Sequence, residues 1–438
     1  MRQFPAFVPM LMACAVALAA CGEREQLLPG ERLDPRVAAG VAEAEGAGPA
    51  AVAFRAPRPV EMTAWTHRNG SAAHRAAHAR VDYPLDALWA VTIGQGNDRR
   101  HRITADPVSD GTRIFTLDAY ATVTAVDTAG HVIWSRDLTP AFERARDGSG
   151  GGLAVAGGRL FATTGFGDLV ALEAATGAEI WRQRLDAPAT SPAVAGNIVY
   201  AVSRDGHGWA LRVRDGRVLW EIPGTPGDAG RAGAAGPAIS GRHVIFPFSS
   251  GDVMAALRNT GIRVWTTTVA GRRLGVPYAA FTDITADPVV DGGRIYVGNF
   301  GGRLAALAAK DGERLWSAGD GVQSPVWPAG GSIFYLTDQN ELVRRIAATG
   351  AEVWRQRLPL YVRPKVTKRK RVFADYGPVL AGGQLLVATS EGLLRRFDPA
   401  DGRPIGARPI GAPAASAPIV VRGVVYLLTE DGKLRAFR

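Results

Sequence analysis

Cysteine is the scarcest residue in this chain of 438 residues, which contains only Cys14 and Cys21. Cys14 lies in an N-terminal apolar run that we expect to be removed with a signal peptide, and Cys21 is expected to carry lipid. The mature protein is therefore predicted to have no disulfide and no free thiol for redox or metal chemistry. A domain of this length can bury a stable core without such cross-links.

Sequence motifs of catalysis and of metal or phosphate binding are also missing. His74 and His78 have the i, i+4 spacing of a helical metal pair, but no HExxH motif accompanies them, so polar capping is the favoured role for them and for His67. No GxSxG nucleophile elbow occurs. The glycine-rich residues 148–152 do not lead into a helical pattern, which argues against a phosphate cradle. We expect no catalytic residue, no metal and no cofactor.

Long apolar runs are limited to residues 4–20, which follow the positive charge of Arg2. This run is too short to span a bilayer, and residues 1–20 are typical of a signal peptide. Ala20 precedes Cys21 as in the cleavage box of bacterial lipoproteins, whose cysteine becomes the acylated first residue. A chance cysteine in an ordinary signal peptide is the weaker alternative. Because Gly22 is not the Asp that retains lipoproteins at the inner membrane, we expect the outer membrane as the location.

Positive charge is in excess: 51 Lys and Arg residues against 41 Asp and Glu residues give a net charge of +10. Such a balance favours nucleic-acid binding in a cytosolic protein, but the predicted export makes nucleic acid a poor partner. Acidic protein loops and anionic headgroups remain as partners. The charge is densest in one loop, which is interpreted either as a binding element or as a solvated loop without a partner. Its basic residues are Arg363, Lys365, Lys368, Arg369, Lys370 and Arg371.

The most informative feature present is a repeat. A turn glycine is followed four residues later by a tryptophan at the end of a short hydrophobic strand, about every 45 residues. This period is typical of four-stranded propeller blades, and the fixed spacing predicts a structural role for the tryptophans rather than ligand stacking. The pairs are Gly130/Trp134, Gly177/Trp181, Gly216/Trp220, Gly261/Trp265, Gly312/Trp316 and Gly350/Trp354; Gly402 is followed by Gly406 instead, and Trp89 has the strand without the turn.

The blade count predicts a closed ring. The last blade has only three strands, near the C-terminus, whereas the strand around Trp89 belongs to no blade. We therefore predict an all-β, eight-bladed β-propeller over residues 85–438, in which the N-terminal strand completes the last blade and removes the open edges. Residues 21–84 are expected to form a lipidated flexible tether, up to about Ala64, and a polar lead-in segment that lies across the propeller. The first strands of the eight blades are predicted near Pro107, Leu153, Pro192, Pro237, Pro288, Pro325, Pro378 and Pro418.

The repeat Leu-x-Ala-Leu-x-x-x-x-Gly-x-x-x-Trp resembles the propeller repeat of pyrroloquinoline quinone (PQQ) dehydrogenases. Together with the lipoprotein box, the tether, the eight blades and the closing strand, it resembles the BamB family of lipoprotein subunits of the outer-membrane β-barrel assembly machine. This resemblance implies a non-catalytic scaffold, anchored by lipid at the outer membrane and facing the periplasm. Such a scaffold assists the delivery and insertion of unfolded outer-membrane proteins.

The same resemblance implies a surface that binds the barrel subunit of the machine. Two loops on one face form this surface in the family, and their positions correspond here to Arg231 and Asp283. The leucines that flank the family's arginine are missing around Arg231. The family's second acidic residue is replaced by Thr285.

Two other functions remain open. A PQQ-dependent quinoprotein dehydrogenase shares the repeat, but such enzymes resemble one another in a vicinal cysteine pair and a metal-binding acid cluster over the quinone. The cysteine pair is absent from this sequence. The third possibility is a lipoprotein that binds a periplasmic polymer through its basic loop.

Overall fold

The computed structural model describes residues 52–227, 235–269, 271 and 282–438. Within these ranges, 32 β-strands form eight four-stranded antiparallel sheets, which are the blades of a β-propeller. The predicted fold class and number of blades are confirmed. The short 3-10 helices in the described ranges are Arg68–Gly70, Ala145–Asp147 and Val366–Lys368.

Blades 1 to 4 follow one another along the chain, each with its innermost strand first. Their strands are β2 (Val108–Ser109), β3 (Arg113–Leu117), β4 (Thr122–Asp127) and β5 (Val132–Asp137) in blade 1; β6 (Gly151–Ala156), β7 (Arg159–Thr164), β8 (Asp168–Glu173) and β9 (Glu179–Arg184) in blade 2; β10 (Ala193–Ala195), β11 (Ile198–Val202), β12 (His207–Arg212) and β13 (Val218–Pro223) in blade 3; and β14 (Ala238–Ser240), β15 (His243–Pro247), β16 (Asp252–Leu257) and β17 (Arg263–Thr268) in blade 4.

Blades 5 to 7 repeat this order, and blade 8 takes its outermost strand from the N-terminal side of the ring. Their strands are β18 (Ile284–Asp291), β19 (Arg294–Asn299), β20 (Arg303–Ala308) and β21 (Arg314–Ala318) in blade 5; β22 (Trp327–Ala329), β23 (Ser332–Leu336), β24 (Glu341–Ile346) and β25 (Glu352–Arg357) in blade 6; β26 (Asp375–Ala381), β27 (Gln384–Thr389), β28 (Leu393–Phe397) and β29 (Pro404–Pro409) in blade 7; and β30 (Ile419–Val421), β31 (Val424–Thr429), β32 (Lys433–Phe437) and β1 (Ala87–Thr92) in blade 8.

The antiparallel order gives the propeller two different ends. The turns that join the first strand to the second and the third to the fourth lie at one end, which we call the turn end. The turns between the second and third strands, and the links from one blade to the next, lie at the opposite connection end. The longer connecting loops lie at the connection end. Because loops on a rigid scaffold often carry binding residues, this end is the better candidate for a functional surface.

In five blades, an alanine on the third strand makes room for an aromatic contact between the second and fourth strands. In blade 3, Ala210 pairs with both Tyr200 and Trp220, and the two aromatic rings meet across it at 5.9 Å between centroids. Blade 6 has Arg344 in this position; the rings of Phe334 and Trp354 still meet at 6.0 Å between centroids, and the guanidinium donates to the carbonyl of Ala400 at 2.9 Å. Because aromatic pairs stabilise beyond the apolar area they bury, this arrangement fixes the second and fourth strands against each other.

Each repeat tryptophan packs on the following blade. Its indole lies against the turn glycine of that blade, where an added Cβ would come within 2.5–2.8 Å of the ring. These glycines have φ between 72° and 92°, which other residues adopt only with strain. The indole Nε1 also donates to a backbone carbonyl of the next blade, at 2.9–3.3 Å, in every case: Trp89, Trp134, Trp181, Trp220, Trp265, Trp316 and Trp354.

The predicted closure by the N-terminal strand is confirmed: β1 pairs antiparallel with β32. The missing tryptophan at Gly406 follows from this closure. Blade 8 has no covalent turn between its third and fourth strands, so no turn glycine exists there for an indole to cover. Arg396 lies beside Gly406 instead, and its guanidinium stacks on the ring of Tyr83 at 5.0 Å.

Part of the predicted tether, from Phe54 onward, packs against the propeller. Phe54 already packs edge-on against Phe334 of β23, with 5.3 Å between ring centroids. Val60 forms a parallel bridge with Ala79, and Ala79 forms another with Ala381. The composition of this segment is typical of a linker, but its backbone groups can pair with the ends of inner strands whatever the side chains are.

Candidate functional site

Residues 62–79, which we call the plug, close the turn end of the central channel. The plug, which belongs to the predicted lead-in segment, forms hydrogen bonds with every one of the eight blades. Seven of these blades donate to or accept from it near the ends of their innermost strands, and Asn69 reaches the eighth. In order of blades 1 to 8, the propeller residues are Ser109, Val155, Val194, Ile239, Val290, Val326, Leu380 and Arg422.

The three histidines of this region are buried and bind backbone groups. His67 Nε2 accepts a hydrogen bond from the amide of Val194 at 3.0 Å, and His78 Nε2 accepts one from the amide of Gly383 at 2.8 Å. His74 Nδ1 lies 3.0 Å from the carbonyl oxygen of Pro288. The residues do not form a helix, so the spacing of His74 and His78 does not create a metal pair.

Burial keeps two of these imidazoles neutral. It lowers the pKa of His67 to about 3, with a further contribution from His74. The pKa of His74 is lowered for the same reason, since desolvation outweighs the nearby Asp287. A neutral imidazole offers one donor and one acceptor, which suits a residue that links two backbone segments. In the described ranges, no group of three or more His, Cys, Asp or Glu side chains is arranged to hold a metal ion.

Arg68 of the plug joins opposite sides of the ring. Its guanidinium lies 3.2 Å from Asp106, before blade 1, and 3.1 Å from Asp287, in blade 5. Burial raises the pKa of Asp106, and the charge of Arg68 opposes this. Burial acts to lower the pKa of Arg68, but the carboxylates of Asp287 and Asp106 outweigh it and raise that pKa above its usual value. The plug is thus held by a buried ion triad as well as by backbone pairing.

A cavity of 320 Å³ lies between the plug and the connection end. The plug residues Trp65, Arg68 and Asn69 form its inner end, and the starts of innermost strands form its walls. Since the plug occupies the turn end, the channel is a blind pocket that faces the connection end. Its polar wall residues include Asp106, Asp283, Thr285, Ser324, Asp375 and Tyr376.

Asp375 is a carboxylate of this pocket whose pKa is strongly raised. It is the first residue of β26, and burial together with the negative charge of Glu391 raises its pKa to about 7. Its Oδ2 atom has no hydrogen-bond partner among the described residues. Such a shift marks a position where charge is costly, which occurs both in functional sites and in structural cores.

Of the two predicted partner-binding residues, Asp283 and Arg231, the structure describes only Asp283. Asp283 is only 1% exposed and lies in the pocket wall, directly before β18. Thr285 donates a hydrogen bond to the carbonyl of Val322 at 2.6 Å, so it supports this wall rather than the outer surface. Arg231 belongs to the link between β13 and β14 and lies outside the described residues, as does the predicted lipidation site Cys21. Asp283 is therefore a buried wall residue of the pocket rather than a carboxylate on the outer surface.

The predicted basic loop is an ordered β-hairpin at the connection end, between blades 6 and 7. We call residues 360–373 the basic hairpin. Tyr361 and Val372 form an antiparallel bridge, and the Val362 amide donates to the carbonyl of Arg371 at 3.0 Å. The hairpin forms one wall of a second cavity, of 450 Å³, which shares Arg102 and other residues with the blind pocket.

The sequence predicted a segment across the propeller, but not its contacts with all eight blades, the ion triad of Arg68 or the blind pocket. The usable signal was a group of polar residues in a short segment just before the ring, together with one tryptophan, Trp65. Its ring stacks on Trp327 at the start of β22, with 6.2 Å between centroids. In the described part of the chain, no helix is long and apolar enough to span a membrane.

These observations define the structural class of the protein. It is an eight-bladed β-propeller of PQQ-type repeats that is closed by its N-terminal strand and plugged at one end. Residues 119–356 and 339–438 match the family model described as outer membrane protein assembly factor BamB. The chain belongs to this family.

Individual relatives agree with this assignment. The chain is 26% identical over 363 residues to the outer membrane protein assembly factor BamB of Moranella endobia, with 80% of this chain and 89% of the relative covered. It is 25% identical over 358 residues to that of Yersinia pestis, with 80% and 88% covered. The crystal structure of BamB from Moraxella catarrhalis has a TM-score of 0.67 at 18% identity and covers 81% of this chain and 100% of that one.

The fold is shared with enzymes as well. A europium-containing methanol dehydrogenase has a TM-score of 0.65 at 14% identity, with 86% of this chain and 98% of that chain covered. At this identity the likeness concerns the fold alone, because one propeller architecture carries unrelated functions.

Proposed function

We propose that this chain is a non-catalytic scaffold that assists the assembly of outer-membrane proteins, anchored to the outer membrane by lipid on Cys21 and facing the periplasm. The observation that carries the proposal is the family match over the propeller, supported by an alignment that covers 89% of the relative from Moranella endobia. The architecture agrees with such a role: a rigid ring closed at one end by the plug offers fixed surfaces and loops rather than a mobile active site.

The proposed contact with the barrel subunit of the assembly machine lies at the connection end, where the loops that contain Arg231 and lead to Asp283 begin and end. An arginine at the centre of an interface can form bidentate, charge-assisted hydrogen bonds. Arg231→Ala should therefore weaken binding by about 2 kcal/mol, or about 30-fold. Since Asp283 is buried, Asp283→Asn should weaken binding through the position of its loop and should lower the melting temperature as well.

The experiment is a pull-down of the barrel subunit from solubilised membranes, with a thermal melt of each variant. Arg263→Ala is the matched control, because Arg263 is exposed on an outermost strand away from the connection end. If Arg231→Ala and Asp283→Asn both bind the barrel subunit like the parent, this contact surface is wrong. A soluble, folded Cys21→Ala variant supports the lipid anchor, and one that still sediments with membranes after a high-salt wash contradicts it.

The outer edges of the blades are the proposed contact for unfolded outer-membrane protein clients. The outermost strand of each blade has an unpaired edge, and in seven blades the residue before the tryptophan position is an aliphatic side chain that is 38–49% exposed. Apolar side chains beside a free edge suit transient addition of an extended strand. These residues are Leu88, Ile133, Ile180, Leu219, Val264, Leu315 and Ile405.

Lysine substitutions on the outermost strands test the proposed contact with unfolded clients. Leu219→Lys and Val264→Lys should reduce photo-crosslinking to an unfolded outer-membrane protein, because charged edge residues oppose strand addition. The equivalent residue of blade 6, Val353, is only 6% exposed, and a crosslinker placed there should capture no client. Equal crosslinking at all three positions contradicts the edge as the client site.

The same repeats in quinoprotein dehydrogenases define the alternative function. Titration of the purified protein with PQQ distinguishes the scaffold function from the dehydrogenase function. We expect no saturable binding at micromolar concentration and no oxidation of alcohols, whereas tight binding with turnover would establish an enzyme.

A further inference from the structure

The basic hairpin is held in place by a dedicated clamp. The side-chain amide of Asn340, in the turn before β24, donates to the carbonyl of Pro359 at 3.1 Å and to that of Phe373 at 3.0 Å. These two carbonyls lie at the feet of the hairpin, one on each leg. Asn340 is buried, and its φ of 56° is unfavourable for most residues. A solvated connection without a function does not require such an anchor.

Internal contacts order the hairpin further. The guanidinium of Arg369 stacks on the ring of Tyr361 at 4.7 Å, and its Nε donates to the carbonyl of Pro364 at 2.9 Å. The amide of Phe373 donates to the carbonyl of Leu360 at 2.9 Å, which closes the ladder at the base. Cation–π contacts of this kind fix a cation without neutralising its charge.

The charges of the hairpin are exposed and have no acidic partners. Residues 359–374 contain six Lys or Arg residues and no Asp or Glu. All six are exposed, and none forms an ion pair within the described ranges. Two apolar side chains flank them, Val362 at 39% and Val372 at 59% exposure. A preorganised, projecting element therefore presents unpaired cations together with exposed valines.

We propose that the basic hairpin binds anionic phospholipid headgroups at a membrane surface. Anionic lipids diffuse laterally, so a membrane can match any arrangement of cations, whereas an acidic protein needs fixed charges in a complementary groove. The six cations of the hairpin are all exposed, and only Arg371 among them lines the neighbouring cavity. Exposed valines beside the cations suit the boundary between headgroups and acyl chains. This interaction does not depend on the assembly function.

Vesicle binding tests the proposal. The mature chain, residues 21–438 carrying Cys21→Ala, is mixed with phosphatidylcholine vesicles that contain either no phosphatidylglycerol or about 30% phosphatidylglycerol. We expect sedimentation only with the anionic vesicles at about 50 mM salt, and loss of it at about 500 mM. The test variant combines Arg363→Gln, Lys365→Gln, Lys368→Gln and Lys370→Gln.

A second variant with the same net charge provides the matched control. Arg136→Gln, Arg217→Gln, Arg263→Gln and Arg314→Gln remove four exposed arginines that have no ion pair in the described ranges; three lie on outermost strands and Arg217 directly precedes one. Each cation near an anionic surface changes partitioning about fivefold, so the hairpin variant should bind at least tenfold more weakly and the control within about twofold of the parent. A double variant, Lys368→Gln with Lys370→Gln, should be intermediate.

Several outcomes would overturn the inference. Equal losses in the hairpin variant and the control mean that net charge alone drives binding. No binding of the parent to anionic vesicles rejects a lipid partner. If a polyglutamate peptide binds the hairpin but the vesicles do not, the partner is an acidic protein segment instead. A failed pull-down of the barrel subunit leaves all of these readouts intact, so the two proposals can fail separately.

Discussion

The backbone amide of Asp86 donates to the carbonyl of Arg438 at 2.6 Å, and the amide of Arg438 donates to the carbonyl of Asp86 at 2.8 Å. These reciprocal hydrogen bonds join the first residue before β1 to the last residue of the chain. The Asp86 side chain also forms an ion pair with Arg408 of blade 7, at 3.0 Å. Ring closure is therefore a non-covalent seam between the two ends of the propeller.

Truncations from the N-terminal side should show how much the seam contributes to the thermal stability of the propeller. Deleting residues 22–51 removes none of the contacts described here, so the melting temperature should stay near that of the parent. Deleting residues 22–92 removes β1 and Trp89 and should lower the melting temperature by more than about 10 °C in one cooperative transition, because it exposes the edge of β32.

An intermediate truncation separates the seam from the plug. Deleting residues 22–81 removes the plug but keeps Asp86 and β1, and its melting temperature should fall between the other two. Equal melting temperatures for the deletions of residues 22–51 and 22–92, measured by calorimetry, would show that closure does not stabilise the ring.

Two glycines of blade 4 test the packing of tryptophans on neighbouring blades. In Gly261→Ala, the new Cβ would lie 2.8 Å from the indole of Trp220, and the residue would keep a φ of +72°. Gly241 has a φ of +55°, but nothing lies within 4 Å of an added Cβ. Gly241→Ala should therefore show only backbone strain, whereas Gly261→Ala should lose about 1–3 kcal/mol more. Urea denaturation measures both, and equal losses would contradict the contact as a source of stability.

Arg68→Met should be strongly destabilising. It leaves the buried carboxylates of Asp106 and Asp287 close together without their cation, which costs about 3–5 kcal/mol of unfolding free energy. Arg75→Met is the control in the same segment: Arg75 pairs with Asp291 at 2.7 Å, but its side chain is 47% exposed, so the loss should be below about 1 kcal/mol. Adding Asp106→Asn and Asp287→Asn to Arg68→Met should restore part of the stability. No restoration would mean that the carboxylates are not the cause.

The buried His67 predicts a stability that falls in acid. Its pKa in the folded state is lowered to about 3, whereas the unfolded chain has the ordinary value of 6.5. The unfolded state therefore binds more protons between these values, so the contribution of His67 is complete above pH 6.5 and is lost as the pH falls toward 3. The slope is about 1.4 kcal/mol per pH unit.

The comparison that isolates this effect is His67→Gln, which keeps an acceptor for the amide of Val194. The stability difference between parent and variant should shrink as the pH is lowered from 7 to about 4. Asp106 and Asp375 have raised pKa values, so their protonation stabilises the folded state in acid. Because both residues are present in parent and variant, their contributions cancel in the stability difference. Parallel curves over this range would show that His67 does not titrate on unfolding.

The repeat and the closed ring could be predicted from the sequence because their signals are local. A turn glycine and a tryptophan lie four residues apart in each repeat. When the strands are counted, the last blade lacks its fourth strand, and the strand around Trp89 is the one strand without a blade. The same counting identified Gly406 as an exception. Only the structure explains it, because the missing turn of blade 8 results from two chain ends that meet in space.

The site depended on the tertiary structure. Backbone hydrogen bonds hold much of the plug, and these groups are the same in every residue, so its path across all eight blades leaves little trace in composition. Arg68 meets Asp106 and Asp287 only because the ring brings distant segments of the chain together. The sequence by itself determined the blade, through short-range periodicity and turn chemistry; the burial of Asp283, the blind pocket and the clamped hairpin were decided by contacts between residues far apart in the chain.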